Sequence, residues 1–404
     1  MKIRIGLFFG GPSVEHEVSV ITAMQALAAL DKEKYQPVPV YVTKEGLLYT
    51  GEAAAKLESY RSLPALISKL TRVDMVREDD LPTLMRHGRK RFGSNVISPL
   101  DVALLLFHGT GGEDGSYQGF LEQLGLPYTG CDVTASAIGM DKWAMKALFA
   151  AAQIPHLPAV KIRREDWYTD DAPLAQRAER EIGYPCIVKP VNLGSSVGIS
   201  RAANRHALNA ALDTAFQYAQ AALVERAVTP LREINCAVLG DASSAKASVC
   251  EEPLLAGEVL TFHDKYQRGT KSEGGPAAAP SGAKGDGMAS LSRRIPADLP
   301  EETAERIQQM AVDAFHAIGA AGVARVDFLM DADSGELWVN EINTIPGSMS
   351  FYLWEASGLP YGQLLDSLVD LALKRQRDRA RVTFSFDTNL LQTARIGGKQ
   401  GNKS

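Results

Sequence analysis

Two segments in the C-terminal third, ARVDF at 324–328 and WVNEIN at 338–343, alternate apolar and polar residues as a half-buried strand does. The turn-forming DADSGE between them folds them into an antiparallel hairpin. Successive strand side chains point to opposite faces, so Arg325 and Asp327 share one face of the first segment and Glu341 and Asn343 one face of the second. Val326, Phe328, Trp338 and Ile342 take the opposite face, where they are expected to pack on a core. Two carboxylates and an amide oxygen are hard ligands suited to Mg²⁺, and an arginine beside them suits a developing anion. Taken alone, the same pattern fits a solvated strand face with ordinary salt bridges. The DADSG turn lacks EF-hand spacing.

The remaining organisation follows from period and length. KIRIGLFFG, QPVPVYVT and DVALLLFHG read as strands and VSVITAMQALAAL as a helix, which predicts an α/β first unit with parallel strands. A second unit opens with the helical DKWAMKALFAAAQI and continues to YPCIVKPVNLGSSVG, a strand and a glycine-rich loop. From about residue 224, REINCAVLG and AKASVCEEPLL read as antiparallel strands, and an amphipathic helix over 301–318 leads into the hairpin. The fold class is therefore α/β and α+β. A chain of 404 residues, 45% hydrophobic, is long enough for two to four such units.

A net charge of −5 provides no basic footprint for nucleic acid or an anionic membrane. The apolar run in MKIRIGLFFGG is too short to span a bilayer and lacks a cleavage pattern, so it reads as a first strand, and a cytoplasmic location is expected. Four scattered cysteines without CxxC spacing point to reduced thiols rather than disulfides or zinc. Residues 262–300, rich in Gly, Ala, Pro and Ser, bury little apolar surface and read either as a lid or as an insertion without a role. VTFSFDTNLLQ near the end is expected to add an edge strand.

Three further constellations carry chemistry. Lys189 ends an apolar strand and NLGSSVG at 192–198 follows, bringing an ammonium, two hydroxyls and open backbone amides to one place; phosphate is the natural guest. A turn with a solvated lysine fits the same letters, and no Walker A loop is present. GGPSVEHEVS at 10–19 delivers Glu15 and Glu17 to the start of a helix, where acidic residues complement the macrodipole or hold a substrate ammonium. The glycine-rich loop after the buried strand at 101–109 carries His108 and Asp114, at the position where α/β folds bind ligands; a plain connector is the alternative.

These segments, with GLPYTG, ASAIGMDKWAMK, LVERAV and NEINTIPG, occur in an order that resembles the D-alanine–D-alanine ligase family of the ATP-grasp superfamily over nearly the whole chain. The resemblance implies an N-terminal α/β substrate-binding domain at 1–140, a central subdomain at 141–224, a C-terminal subdomain at 225–375 with a lid loop at about 256–298, and a tail at 376–404. ATP would be gripped between the central and C-terminal subdomains. It further implies a cytoplasmic homodimer that phosphorylates one D-alanine and joins it to a second for peptidoglycan synthesis, using ATP and two Mg²⁺ ions, with Mn²⁺ able to substitute.

By the same likeness Lys142 and Lys189 match nucleotide-phosphate lysines, and Ser195 and Ser196 match a loop that covers the phosphates. Glu225 matches the adenine segment, Glu233 the ribose contact, and Lys265 and Tyr266 the lid pair. Asp327, Glu341 and Asn343 match the metal ligands, Arg325 the arginine that stabilises the transition state, and Gly347 the adjacent amide. Glu15, linked through Ser195 to Tyr266, matches the anchor of the first ammonium, with His108 nearby. The family's acceptor-binding serine falls at Tyr352, with Ser348 or Ser350 as substitutes and Leu353 the apolar neighbour. That departure leaves D-serine, another amino acid or D-lactate open as second substrate, beside a catalytically silent nucleotide binder.

Overall fold

Three sheets divide the chain in the computed structural model, which describes residues 2–88, 93–194, 197–254 and 293–383. The first contains β1 (Ile3–Gly10), β2 (Tyr35–Val42), β3 (Leu48–Thr50), β4 (Thr71–Glu78), β5 (Leu81–Arg86), β6 (Val96–Pro99) and β7 (Val102–Leu105), in the order β6-β5-β4-β3-β2-β1-β7. Only β2, β1 and β7 run parallel; from β2 to β6 every neighbour is antiparallel. The parallel sheet expected from the first unit is therefore a mixed one. The reason lies in the connections: the helix His16–Ala29 supplies the crossover that a parallel pair requires, whereas the short links after β2 and β4 permit only hairpins. β7 is buried along its length, while β4 alternates buried and exposed positions as a one-sided strand does.

The second sheet holds β8 (Ala159–Arg163), β9 (Cys186–Pro190), β10 (Ser200–Ala202) and β11 (Ala221–Arg226), ordered β10-β9-β11-β8 and antiparallel throughout. The helices Asp171–Glu181 and Arg205–Ala215 cover one face with Ala175, Ala178, Leu208 and Leu212. That leaves the other face of β9 and β11 to form a cleft wall.

The third sheet is antiparallel, ordered β14-β13-β12-β15-β16, from β12 (Leu231–Asp241), β13 (Ser244–Pro253), β14 (Arg293–Arg294), β15 (Gly322–Asp331) and β16 (Leu337–Asn343). The helix Glu301–Ala317 packs on it through Ile307, Met310, Ala311, Ala314 and Phe315, the i, i+3, i+4, i+7, i+8 stripe of an amphipathic helix. Each large apolar side chain buried this way contributes roughly 1.5–3 kcal/mol relative to exposure. The units interleave. Met145 and Phe149 of the helix Lys142–Ala151 join the core of the third sheet, and the helix Tyr361–Arg379 sends Leu364, Leu365, Leu368 and Val369 into the core of the first. This last helix continues past residue 376, the expected start of the tail. Residues 384–392 of the edge strand expected over 382–392, and residues 255–292 of the lid segment, lie outside the described residues. All four cysteines are buried and free.

The hairpin contains one break in its alternation. Asp327 pairs with Glu341, but the next residue, Phe328, pairs with Val339, so Asn340 is the extra residue of a β-bulge. Leu337, Val339 and Ile342 therefore face the core. Trp338, expected among them, lies on the other side, partly exposed, with the Arg226 guanidinium 5.1 Å from its ring centre.

Candidate active site

Between the second and third sheets lies a cleft with about 970 Å³ of empty space, continuous with solvent. Lys142, Lys189 and Glu225 line one side; Asp327, Asn340 and Glu341 line the other. Both lysines that line it are held by carboxylates of the chain. Lys189, at the end of β9 and 4% exposed, places Nζ 2.6 Å from Glu225 Oε2 and donates to Asn340 Oδ1 at 3.0 Å. The other carboxylate oxygen of Glu225 lies 2.9 Å from Nζ of Lys146. Burial pushes the Glu225 carboxyl upward in pKa, but Lys189 and Lys146 together more than offset this and hold it below the usual range. Lys146 experiences the reverse: burial lowers its pKa, and Glu225 offsets this only in part.

Lys142 opens its helix behind the Asp141 cap, whose side chain accepts from Trp143 N and Ala144 N. Its Nζ is 3.0 Å from Glu341 Oε2 and donates to the Leu193 carbonyl at 2.9 Å. Lys142 and Lys189 thus line one cleft with little exposure, and Lys146 lies behind them on Glu225.

The hairpin completes a polar row across the third sheet. Glu251, Asn235, Asp327 and Glu341 are successive cross-strand partners on β13, β12, β15 and β16. One step along, Arg325 grips Asp327 with both arms of its fork, Nε to Oδ1 at 2.6 Å and Nη2 to Oδ2 at 2.7 Å, and Asn343 Nδ2 donates to Oδ2 at 3.0 Å. Burial disfavours the Arg325 charge, but Asp327 outweighs it and keeps the guanidinium protonated. Both row carboxylates beside the cleft are thus neutralised by the chain itself, Asp327 by Arg325 and Glu341 by Lys142. Among the described residues no three His, Cys, Asp or Glu side chains converge as a metal site. Two carboxylates and an amide still fit Mg²⁺, which takes few protein ligands when phosphates and water fill its shell, and a reversed Asn343 amide presents oxygen to the same place.

A second group of residues adjoins this site from the first sheet. Gly10 and Gly11, with φ of +93° and +92°, turn the chain so that Glu15 stands just before the helix His16–Ala29. Glu15 is 6% exposed and boxed by backbone: a Cβ at Gly109 would lie 2.9 Å from its Oε2, and one at Gly194 3.2 Å. Glu113 accepts from the N–H groups of Gly109 at 2.6 Å and Ile345 at 3.0 Å. Burial, with the nearby Glu15 charge, pushes the Glu113 carboxyl up to about 8. His108 is buried, with Nε2 2.8 Å from Thr22 Oγ1, and Thr22 Oγ1 accepts from Ser348 N at 3.1 Å. Desolvation lowers the His108 pKa to about 4, which keeps the ring neutral. Asp114 accepts from Gly111 N and Ser116 N, shaping the loop, while Glu17 pairs with Lys44 at the surface.

The turn Gly347–Ser350 holds three successive left-handed residues, Ser348, Met349 and Ser350, with φ near +50°. Each costs roughly 1–2 kcal/mol outside glycine, so the turn persists because tertiary contacts fix it. Ser348, Ser350 and Leu353 are buried, Gly347 is partly exposed, and the partly exposed Tyr352 donates its hydroxyl to Glu251 Oε1 at 3.1 Å. Glu233 lines the cleft two positions from Asn235. Ser195, Ser196, Lys265 and Tyr266 lie outside the described residues.

The structure thus brings Lys142, Lys189, Glu225, Glu233, Asp327 and Glu341 to one cleft, with Arg325 and Asn343 adjoining it through Asp327. Sequence reasoning missed Lys146, Glu113, Glu251 and Arg293. Lys146 had a readable signal, since it follows Lys142 by four residues and shares its helix face.

Two family models match the chain: the D-ala D-ala ligase N-terminus over residues 4–131 and the D-ala D-ala ligase C-terminus over residues 148–370. The D-alanine–D-alanine ligase of Geobacillus kaustophilus is 38% identical over 393 residues, covering 96% of this chain and 99% of that protein. The D-alanine–D-alanine ligase of Heliobacterium modesticaldum is 39% identical over 385 residues, covering 94% and 97%. Among solved structures, the D-alanine-D-alanine ligase from Coxiella burnetii superposes with a TM-score of 0.75 at 29% identity, covering 94% of this chain and 96% of that one. The VanG D-Ala:D-Ser ligase from Enterococcus faecalis gives 0.74 at 28% identity, covering 92% and 100%.

Proposed function

Because the chain belongs to the D-alanine–D-alanine ligase family, we propose that it joins two D-alanine molecules at the expense of ATP, forming D-alanyl-D-alanine for peptidoglycan. The observation that carries this reading is the meeting of Lys142 and Lys189 with the Arg325–Asp327–Glu341 row at one cleft. A carboxylate oxygen of the first D-alanine attacks the γ-phosphorus of ATP, and ADP leaves. The amine of the second D-alanine then attacks the acyl carbon and phosphate departs, leaving the peptide bond.

Lys142 and Lys189 exchange their carboxylate and amide partners for phosphate oxygens. The cleft wall around Glu225 receives the base, Glu233 reaches the ribose, and the serines at 195 and 196 cover the phosphates. Glu15, with Glu113 behind it, holds the first ammonium, and His108 fixes the loop after β16 against the first sheet. Arg325, with the Gly347 amide, stabilises charge on the transferring phosphoryl group and the tetrahedral intermediate. Mg²⁺ bound by Asp327, Glu341 and Asn343 would neutralise phosphate charge. Tyr266, with Lys265, closes the lid over an intermediate that water would otherwise hydrolyse.

The three sheets support a three-domain division, the free buried cysteines a cytoplasmic setting, and the family likeness a homodimer. Among the described residues no helix is long and apolar enough to cross a membrane. The test is ATP-dependent phosphate release with D-alanine alone and paired with D-serine, D-lactate or L-amino acids, with products identified by mass. Dipeptide from D-alanine alone is expected; turnover only with another partner would reassign the acceptor.

A further inference from the structure

The polar row that starts at Glu341 ends at Glu251, which is 1% exposed and carries three donors. Asn235 Nδ2 donates to its Oε1 at 3.0 Å, the Tyr352 hydroxyl to the same oxygen at 3.1 Å, and Arg293 Nη1 to Oε2 at 2.6 Å. The Arg293 guanidinium also lies 4.1 Å from the centre of the Tyr352 ring. Tyr352 in turn feels the charges of Glu251, Arg293 and Arg325 and stands two residues beyond the turn Gly347–Ser350.

This arrangement bears on the acceptor, and the inference rests on the ligase reading above. An amino acid that attacks with its amine must point its carboxylate away from the acyl phosphate. A carboxylate leaving water requires a charged partner or several donors. Ser348 and Ser350, the hydroxyls nearest in sequence, are buried within the turn at 1% and 0% exposure. The fork of Arg325 is closed on Asp327. We infer that Arg293, anchored by Glu251 and stacked on Tyr352, binds the carboxylate of the acceptor amino acid in place of a serine hydroxyl. A guanidinium has five N–H donors in a fixed plane, so an arginine held to Glu251 through Nη1 can present another edge to a carboxylate, in exchange for its ligand-free contacts. Stacking on Tyr352 sets the orientation of that plane.

The test is steady-state kinetics of the full chain over a wide D-alanine range, which resolves separate KM values for the donor and acceptor sites. In Arg293→Met the acceptor KM should rise about 10- to 100-fold, the worth of a charge-assisted hydrogen bond. The donor KM and the trapping of the acyl phosphate by hydroxylamine should change about tenfold less. Arg293→Met leaves Glu251 buried without its cation, so the double variant Glu251→Gln/Arg293→Met separates the two roles. If Arg293 only neutralises Glu251, the double variant recovers the wild-type acceptor KM and the proposal is overturned. A KM that stays raised in a double variant with near-normal melting supports it. Failure of the wild-type chain to make the dipeptide would overturn the ligase reading and this one with it; normal wild-type turnover with unchanged acceptor KM in both variants overturns this one alone.

Discussion

Replacing Arg325 by alanine separates catalysis from nucleotide binding. The guanidinium is buried and closed on Asp327 through two short bonds, and it does not line the nucleotide cleft itself. Arginines that face a transferring phosphoryl group are worth about 10³–10⁵ in rate, which corresponds to roughly 4–7 kcal/mol of barrier. Arg325→Ala should therefore lower kcat by that factor while the Kd for ATP shifts by less than about threefold, roughly 0.7 kcal/mol. The variant should also be less stable. Two opposite charges about 4 Å apart at an effective dielectric of about 20 attract by roughly 4 kcal/mol, and removing one partner of a buried pair costs about 3–5 kcal/mol. Part of that loss should return with Mg²⁺ and ADP, because a cation beside Asp327 replaces the missing charge. ADP release measures the rate, calorimetry the affinity, and thermal melting with and without nucleotide the stability. A folded variant that keeps more than about 1% of wild-type kcat, or one whose ATP affinity falls as far as its turnover, would refute the reasoning.

Two other outcomes follow from buried charge. Lys146→Met removes one of the two cations on Glu225 and leaves the Leu157 carbonyl without its 3.1 Å donor, so a loss of about 2–4 kcal/mol is expected; an unchanged melting temperature would rule the pair out as a structural element. The Glu113 carboxyl has a folded pKa near 8 against 4.5 for the free group, so folding favours its protonated form. Its contribution to stability is full below about 4.5 and is lost as pH rises through 8, with a slope of at most about 1.4 kcal/mol per pH unit. Melting curves across that window should show the decline in the wild type and a flatter profile in Glu15→Gln, where the neighbouring charge is gone; identical profiles would refute the coupling.

What the sequence disclosed was local. The stripe of Ile307, Met310, Ala311, Ala314 and Phe315 and the alternation in β15 are set by neighbours within one element, and both were readable. The antiparallel half of the first sheet was not, because β3 to β6 are short or rich in charge and draw their register from one another. Lys189 and Glu15 announced themselves through the turns that carry them. Glu251 and Arg293 did not, since the contact between them spans 42 residues and each alone reads as a solvated side chain. Lys146 lay hidden for a related reason: a lysine on a helix is assumed to face water until a buried glutamate from a distant strand meets it.

The extra residue in β16 acts as a counting device. Asn340 and Glu341 are adjacent in the chain, yet one reaches Lys189 and the other Lys142. Strict alternation would have sent one of them into the core. Deleting Asn340 would restore regular pairing with Leu337, Val339 and Ile342 still toward the core and Trp338, Glu341 and Asn343 opposite, so the packing would survive while Lys189 lost its 3.0 Å amide acceptor. A one-residue change elsewhere in β16 therefore acts on parity rather than length, moving part of the strand to the opposite face, so a loop-like tolerance should be absent from a strand only seven residues long.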